Sequence, residues 1–204
     1  MTTASLKTAQ YRLARHYLNK LRIADTAVRR GQASTAYGLT LFDQEWEQIR
    51  LWQGWTARHE HGDQERMELC KEFPLAGLEI LANRNNAMDQ ADWLVTALEA
   101  AQQLSDHEAE RTLCYELLMT YYRLGNPEKI EYFASQLLQL GEAAKDSLFI
   151  ERAWFGFGLV AEERGMFVEA ESYYQRALQL ALELGGYPEI GQALNGLATV
   201  ATYL

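Results

Sequence analysis

Apolar residues along most of the chain recur at intervals of three and four, separated by charged and amide side chains. Near the N-terminus, Leu13, Tyr17 and Leu21 lie four residues apart, Leu18 lies three residues before Leu21, and Ile23 follows on the same segment. Residues at these intervals lie on one face of an α-helix, so the pattern predicts amphipathic helices that each bury one side. Good helix formers are abundant and proline occurs only 3 times. The sequence therefore predicts an all-α protein.

A second periodicity, of about 40 residues, runs through the later part of the chain. When Leu118, Gly158 and Ala198 are taken as equivalent anchors, small and apolar residues return at fixed offsets from each of them. The matching sets are Cys114, Trp154 and Leu194; Leu117, Phe157 and Leu197; Tyr121, Ala161 and Ala201; Gly125 and Gly165; Ile130 and Ala170; Ala134 and Tyr174; and Leu137 and Ala177. An earlier copy around Leu78 is weaker. A fixed period of this length indicates a helical repeat array.

The segment "LGNPEK" shows how each unit is divided. Gly125 suits the end of one helix, Asn126 suits the N-cap of the next, and Pro127 suits its first turn. Each unit is therefore expected to be a helix–turn–helix hairpin, which buries its apolar face only when neighbouring units stack. In the weaker copy, Asn85 stands at the turn, and Gln90 occupies a position where a small residue is expected.

One unit carries a set of residues at the signature spacings of a known repeat. These residues are Trp154, Gly158, Gly165, Ala170, Tyr174, Ala177 and Leu178. The unit resembles the tetratricopeptide repeat, although its length of about 40 residues exceeds the usual length of about 34. The resemblance implies a right-handed superhelical solenoid of antiparallel helix hairpins. It places repeats at about 63–104, 105–144 and 145–184 with a partial repeat at 185–204, after an N-terminal helical segment at 1–62.

The N-terminal segment is similar to the helical region that precedes such long repeats in bacterial signal-transduction NTPases of the STAND type and in transcription regulators. The similarity rests on Phe42, Asp43, Glu45, Ile49, Arg50 and Trp55. Trp46 and Trp52 depart from that pattern, because smaller or polar residues are expected there. No nucleotide-binding module precedes the segment, so the chain is expected to be a separate protein or a fragment of a larger one.

Composition and charge narrow the classes of function. The formal net charge is −9, which argues against a nucleic-acid surface. The basic residues of the first helix, Lys7, Arg12, Arg15, Lys20, Arg22, Arg29 and Arg30, are expected to form a solvated face. No apolar run is long enough for a membrane span or a signal peptide. With only 2 cysteines there is no disulfide framework, so a cytoplasmic location is expected.

Catalytic and metal chemistry find little support in the sequence. No phosphate-binding Gly-x-x-x-x-Gly-Lys-Ser/Thr loop occurs. His59, His61 and Asp63 are more typical of a polar helix end than of a metal site, since residues two apart on a helix diverge. Cys114 lies on a helix packing face, which favours a core residue over a nucleophile. The sequence therefore predicts a protein that is no enzyme and that uses no metal or cofactor.

The resemblance implies a groove lined by the first helix of each unit. Its lining positions are Tyr115, Met119, Tyr122, Arg152, Phe155, Leu159, Glu162 and Asn195, continued by Gln192, Thr199 and Thr202. For Tyr115, Phe155 and Leu159, packing against neighbouring helices is as good an explanation as ligand binding. Phe155 and Leu159 stand where related grooves that clamp a peptide carboxylate need Lys and Asn. An amphipathic helix is therefore the better guess for a ligand.

The last stretch, "GLATVATYL", reads as a first helix without a second helix after it. Such an end leaves an apolar face on which another copy or a partner can dock. The residues of that face are Leu194, Leu197, Val200 and Leu204. The leading interpretation is a protein-binding scaffold or sensor, with a self-assembling structural subunit and, less favoured, a metal-dependent enzyme as alternatives.

Overall fold

A computed structural model describes residues 3–58, 62–84 and 87–204, and within these ranges every regular element is an α-helix. The predicted all-α class is confirmed. The helices are α1 (Thr3–Arg30), α2 (Ala33–Ala57), α3 (Gln64–Leu75), α4 (Leu78–Arg84), α5 (Ala87–Leu104), α6 (His107–Arg123), α7 (Pro127–Ala144), α8 (Ser147–Glu163), α9 (Phe167–Leu184) and α10 (Tyr187–Val200). None of these described helices is both long and apolar enough to cross a lipid bilayer.

The first residues of the helices repeat with the same period as the sequence. The helices α5, α7 and α9 begin at Ala87, Pro127 and Phe167, and α6, α8 and α10 begin at positions 107, 147 and 187. Both series advance by the interval that separates Leu118 from Gly158. The period read from side-chain identity is therefore also a period of the backbone.

Left-handed residues end the helices at the same period. After α6 and α8 the turn residues are Gly125 and Gly165, with φ of 62° and 71°, so their predicted turn role is confirmed. After α5, α7 and α9 they are Ser105, Lys145 and Gly185, with φ of 56°, 55° and 70°. At each of these sites the N–H of the following residue bonds a carbonyl five residues earlier, which is the pattern of a Schellman helix end.

The start of α7 follows the predicted stop–start signal. The Asn126 side chain accepts a hydrogen bond from the Lys129 N–H at 3.0 Å, and Pro127 lies in the first turn of the helix. The cap satisfies one of the backbone donors that a helix start leaves unpaired. The prediction of Asn126 as the N-cap is confirmed.

The chain forms two compact units, residues 1–109 and residues 110–204, and the boundary lies inside α6. The predicted division at residue 62 marks where the repeats begin in the sequence, which is a different boundary from the one between the two compact units. In unit 1 one buried apolar cluster draws on all five of its complete helices. Its members are Tyr11, Ala14, Leu18, Leu21, Ala24, Phe42, Ile49, Leu69, Phe73, Ile80, Leu81 and Trp93.

The weaker repeat copy is broken where its first helix should run. Pro74 lies at the end of α3, and α4 begins only at Leu78. The buried carboxylate of Asp25 in α1 accepts the Ile80 N–H at 3.0 Å, and this bond fixes the start of α4 against α1. Gln90, at the position predicted for a small residue, is buried, and Asn85 lies outside the described residues.

The basic side chains of α1 are mostly exposed, as expected, and several of them also pair with neighbouring helices. Arg15 bonds Glu65 at 2.6 Å, and Arg22 bonds Glu72 at 2.5 Å. Two further pairs are Lys7 with Asp63 at 3.3 Å and Lys20 with Glu45 at 3.1 Å. Because the partners belong to α2, α3 and the turn before α3, these pairs align helices. Each exposed pair contributes at most about 1 kcal/mol.

The residues that carry the similarity of the N-terminal segment to signalling proteins all have structural contacts in unit 1. Phe42 and Ile49 are buried in the unit 1 cluster. Asp43 pairs with Arg84 at 2.9 Å, and Arg50 pairs with Glu47 at 3.0 Å. The indoles of Trp52 and Trp55 meet edge to face at a centroid distance of 5.7 Å. Packing and ion pairs within unit 1 therefore account for these residue types.

In unit 2, α8 packs against both α7 and α9, and α10 packs against α9. Gly158 of α8 faces Tyr174 of α9, where an added Cβ would lie 2.5 Å from Cδ1 of the ring. The absence of a side chain at Gly158 therefore lets α8 and α9 approach closely. Trp154 stacks on Tyr173 of α9 at a centroid distance of 5.9 Å, so the first and second helices of this unit meet through their aromatic side chains as well.

Candidate functional site

The eight predicted groove residues lie on α6, α8 and α10 of unit 2, and they differ in accessibility. Asn195 and Tyr122 are exposed, whereas Tyr115, Met119, Arg152 and Glu162 are half-buried. Phe155 and Leu159 are almost fully buried. The Phe155 ring contacts Tyr174 of α9 at a centroid distance of 5.7 Å. Burial favours packing as the main role of Phe155 and Leu159, which leaves the other six as the accessible surface.

Arg152 connects the three helices of this surface. Its guanidinium carbon lies 4.2 Å from the centre of the Tyr115 ring in α6. Its Nη2 lies 3.2 Å from a carboxylate oxygen of Glu189 in α10. A guanidinium over an aromatic face gains from the ring quadrupole, by about 0.5–2 kcal/mol. Arg152 therefore contacts both of the neighbouring helices that carry this surface.

Tyr115 is itself positioned by burial and by α10. Burial raises the pKa of its hydroxyl, and the Arg152 charge and a hydrogen bond with Gln192 act in the opposite direction. The bond to Gln192 joins α6 to α10, so the three helices share one polar network. Gln192, which the sequence placed at the edge of the groove, is part of this network.

A charged cluster beside Arg152 was missed by sequence reasoning. Glu151 is fully buried, and neither of its carboxylate oxygens has a hydrogen-bond partner among the described residues. The Nε atoms of Arg111 and Arg152 are likewise buried without a partner there. Arg111 and Arg152 approach the Phe149 ring at 5.3 and 5.4 Å. The available signal was that Arg111 and Glu151 occupy equivalent positions of successive repeats and are both charged, on helices with an apolar face.

The electrostatics of Glu151 are unusual for a carboxyl group. Burial raises its pKa to about 7, the nearby Glu189 charge adds to this rise, and Arg152 acts in the opposite direction. Desolvation disfavours the ionised form of a buried acid. Glu151 is consequently a group whose charge changes near neutral pH.

The other end of the surface is organised around Glu162. Its carboxylate accepts a hydrogen bond from the Tyr174 hydroxyl at 2.7 Å, so it is already engaged by α9. Burial raises the pKa of Tyr122, and the negative charges of Glu162 and Glu163 raise it further. Tyr122 therefore presents a neutral phenol beside two acidic groups.

The predicted self-association residues do not all lie on one exposed face. Leu194 and Leu204 are 50% and 65% exposed, and Leu197 is half-buried. Val200 is fully buried, which corrects the expectation that it is exposed, because it faces inward from the last turn of α10. Near this end, the Tyr203 ring stacks on Phe167 of α9 at a centroid distance of 4.5 Å.

The residues considered for chemistry have other roles where the structure describes them. His59 and His61 lie outside the described residues. Asp63 accepts hydrogen bonds from the Tyr11 hydroxyl and from the Arg66 N–H, the latter at 3.3 Å, and so caps α3. Within the described residues no group of three His, Cys, Asp or Glu side chains is arranged to hold a metal ion.

Both cysteines are free and buried. Burial raises the pKa of Cys70 to about 11 and that of Cys114 to about 12. Since the thiolate is the nucleophilic form, thiols with raised pKa values are poor nucleophiles at neutral pH. The prediction that Cys114 is a core residue is confirmed.

Compared with known proteins, the chain matches no protein-family model and no curated protein sequence. The likeness to tetratricopeptide repeats therefore rests on the residues of this chain alone. What the structure adds is the same period in its helix boundaries and helix ends.

Proposed function

We propose that the chain is a non-catalytic scaffold or sensor module of the tetratricopeptide type that binds a protein or peptide. The observation that carries the proposal is the agreement between two periods. The side-chain anchors and the backbone helix ends repeat at one and the same interval. Repeats of this kind present an extended surface built from equivalent helices, and binding is the usual task of such a surface.

In this proposal the repeats of unit 2 stack as antiparallel hairpins into a right-handed superhelical solenoid, with α6, α8 and α10 lining its concave side. The stacking is supported by Arg152, which contacts Tyr115 of α6 and Glu189 of α10 from its own helix α8. It is also supported by the hydrogen bond between Tyr115 and Gln192. Equivalent helices that share one network behave as one surface.

The chemistry of the surface favours an amphipathic helix as the ligand. Met119, Tyr122 and the edge of Tyr115 offer apolar area that costs little side-chain entropy to bury. Arg152, Glu162 and Asn195 offer charged and amide groups around it. A helix with one apolar face and polar flanks satisfies both sets, as in other helix-in-groove complexes.

The remaining parts of the proposal follow from charge and composition. The net charge of −9 is unsuited to nucleic acid. We place the protein in the cytoplasm, as part of bacterial signalling or regulation, without an enzymatic activity or a cofactor. The regulatory role rests on the resemblance of residues 42–55 and of the repeats to signalling proteins.

Site-specific photo-crosslinking tests the binding surface. A benzophenone amino acid at position 119, 122 or 195 should crosslink one common partner in cell extract. The same probe at Tyr132 or Val168, which are exposed on α7 and α9, should not. The substitution Met119→Asp should abolish crosslinking from position 122 while leaving the helical circular-dichroism spectrum intact.

Two results contradict the binding proposal. If the control positions on α7 and α9 capture the same partner, the α6–α8–α10 surface is not the binding face. If Met119→Asp leaves crosslinking from position 122 unchanged, contact with this surface does not hold the partner.

A second candidate function, self-assembly, is favoured by the exposure of Leu194 and Leu204. Exposed leucines of the C-terminal region, together with the exposed Tyr203 ring that stacks on Phe167, suit contact with a second copy. Sedimentation should then show an oligomer that Leu194→Asp dissociates. The matched control Leu182→Asp changes an exposed leucine of α9, and it should leave the oligomer intact. A monomeric parent at micromolar concentration contradicts self-assembly.

A further inference from the structure

The two tryptophans that depart from the signalling-protein pattern include Trp46, and its surroundings in unit 1 form a small polar pocket. The Trp46 indole of α2 stacks on Trp93 of α5 at a centroid distance of 5.7 Å and an interplanar angle of 24°. Phe42 supports Trp46 from its own helix at 5.0 Å. Trp93 is nearly buried, whereas Trp46 is only partly buried, so indole surface remains open to a cavity.

The cavity is lined by residues of α2 and α5 and opens to solvent. It measures about 160 Å³, and its lining is Trp46, Arg50, Asp89, Asp92 and Trp93. Sites for drug-sized ligands span roughly 300–1,000 Å³. The cavity therefore suits a single small group, such as the head of a side chain, and not a large ligand.

The charges that face the cavity are mostly negative. Asp89 and Asp92 are three residues apart on α5, so their side chains are neighbours on one helix face. Both are exposed, and Asp92 pairs with no cation among the described residues. The one basic lining residue, Arg50, forms an exposed ion pair with Glu47 at 3.0 Å, which offsets part of its charge.

The combination of indole surface and two carboxylates points to a particular cation. A guanidinium group is planar, stacks on aromatic rings, and offers five N–H donors that match carboxylate oxygens. An ammonium group is a strongly hydrated point charge that gains less from the ring. We propose that the pocket between Trp46, Trp93, Asp89 and Asp92 binds a guanidinium group. This inference does not depend on the function proposed for unit 2.

Calorimetric titration of the full chain with three probes tests the proposed chemistry. N-acetyl-arginine amide should bind saturably, and its neutral isostere N-acetyl-citrulline amide should bind about three- to tenfold more weakly, since the attraction between the guanidinium charge and the two exposed carboxylates is lost. Free guanidinium chloride, at concentrations far below those that unfold proteins, reports the source of the group. Tighter binding of the arginine amide assigns the site to arginine in a peptide, and equal binding assigns it to a small guanidinium compound.

Variants at the pocket test its location. Asp92→Asn and Trp46→Leu should each weaken N-acetyl-arginine amide by about 3- to 30-fold, whereas Trp46→Phe, which keeps an aromatic face, should weaken it less. Glu99→Gln makes the same change of charge on an exposed residue of the same helix, and it should change the affinity by less than about twofold. Because Asp92 is exposed, its substitution is expected to leave folding intact.

Three results overturn the proposal. The first is the absence of saturable binding at millimolar concentrations of N-acetyl-arginine amide. The second is equal binding of the citrulline compound, which would show that the charge is not recognised. The third is an unchanged affinity in both Asp92→Asn and Trp46→Leu, which would place the binding elsewhere on the chain.

Discussion

Two successive helix interfaces in unit 2 are filled by side chains whose sizes are exchanged between the two helices of the hairpin. Gly156 and Gly196 lie one repeat period apart, on α8 and α10, and each faces the preceding hairpin. A Cβ on Gly156 would lie 2.5 Å from Cδ1 of Leu118 and 3.1 Å from Cβ of Ala134. A Cβ on Gly196 would lie 2.7 Å from the Tyr174 ring.

The two interfaces exchange a large and a small residue. In the first, the large Leu118 comes from α6 and the small Ala134 from α7. In the second, the equivalent residues are Gly158 of α8 and Tyr174 of α9. The volume beside Gly156 and the volume beside Gly196 are both filled, the first by a large side chain from the first helix of the hairpin and the second by one from the second helix. The repeat therefore preserves a filled contact and not a particular residue.

The largest expected effect on the free energy of unfolding comes from changing Tyr174 and Gly158 at the second interface. Tyr174→Ala leaves a cavity between Gly158 and Gly196 and should lower the free energy of unfolding by about 3–5 kcal/mol. Gly158→Leu alone forces a side chain into the Tyr174 ring and should cost about 1–3 kcal/mol or more. The double variant copies the Leu118–Ala134 arrangement, so it should be at least about 2 kcal/mol more stable than the sum of the single changes predicts. Urea unfolding measures all three.

Tyr174→Phe is the matched control for the ring. It keeps the filled volume and removes only the hydrogen bond to Glu162, which should cost about 1 kcal/mol. Purely additive effects of Gly158→Leu and Tyr174→Ala would contradict the exchange, because they would mean that the two residues do not share one space.

The same two repeats also differ at a charged position. Arg111 and Glu151 are equivalent, and Arg111 has an oppositely charged neighbour, with its Nε 3.8 Å from a carboxylate oxygen of Asp146. Glu151 instead is buried near Glu189, whose like charge adds to the effect of burial in raising its pKa to about 7. The second repeat thus holds an acid whose ionisation destabilises the folded state.

Glu151 should make stability depend on pH in a defined direction. Its pKa is about 7 in the folded protein and returns to the ordinary 4.5 on unfolding. Between these values the folded state binds more protons, so the Glu151 contribution to the free energy of unfolding falls as pH rises from about 4.5 to 7. The full difference is roughly 3 kcal/mol, at about 1.36 kcal/mol for each pKa unit. Glu151→Gln should therefore stabilise the protein at pH 8 and much less at pH 5.

The measurement is the difference in unfolding free energy between Glu151→Gln and the parent at several pH values. Carboxyls that do not interact with Glu151 contribute equally to both proteins and cancel in that difference. Glu142→Gln changes an exposed carboxylate of α7, so its difference from the parent should not vary over this range. A Glu151→Gln difference that stays constant from pH 5 to pH 8 would show that Glu151 is ionised in the folded protein throughout.

Local signals in the sequence are sufficient to predict the helices and the residues at which they end. Gly125, Gly165 and Asn126 act through their own backbone neighbours, so their roles follow from short segments. Contacts between distant segments were not predictable in the same way. Gly156 of α8 makes room for Leu118 and Ala134 of the preceding hairpin, and neither residue is near it in the sequence.

The candidate site shows the same limit. The repeat pattern located the helices that carry Tyr115, Met119 and Arg152, because spacing alone assigns residues to a helix face. It did not predict that Glu151 is buried beside Glu189 or that Val200 faces inward. Those facts depend on which side chain of one helix meets which of another. Neither period nor composition contains that information.

The smallest expected effect concerns the ends of α7 and α9, which use different residues in the same conformation. Lys145 has φ 55° and ψ 39°, and Gly185 has φ 70° and ψ 22°. A residue with a Cβ pays about 1–2 kcal/mol in the left-handed region, which glycine avoids, although glycine loses more backbone entropy on folding. Lys145→Gly should therefore raise the free energy of unfolding by about 0.5–1 kcal/mol, and Gly185→Lys should lower it by a similar amount. Thermal unfolding of both single variants and of the double variant, in which the two effects should cancel, tests whether the two helix ends are equivalent; a stabilising Gly185→Lys would show that they are not.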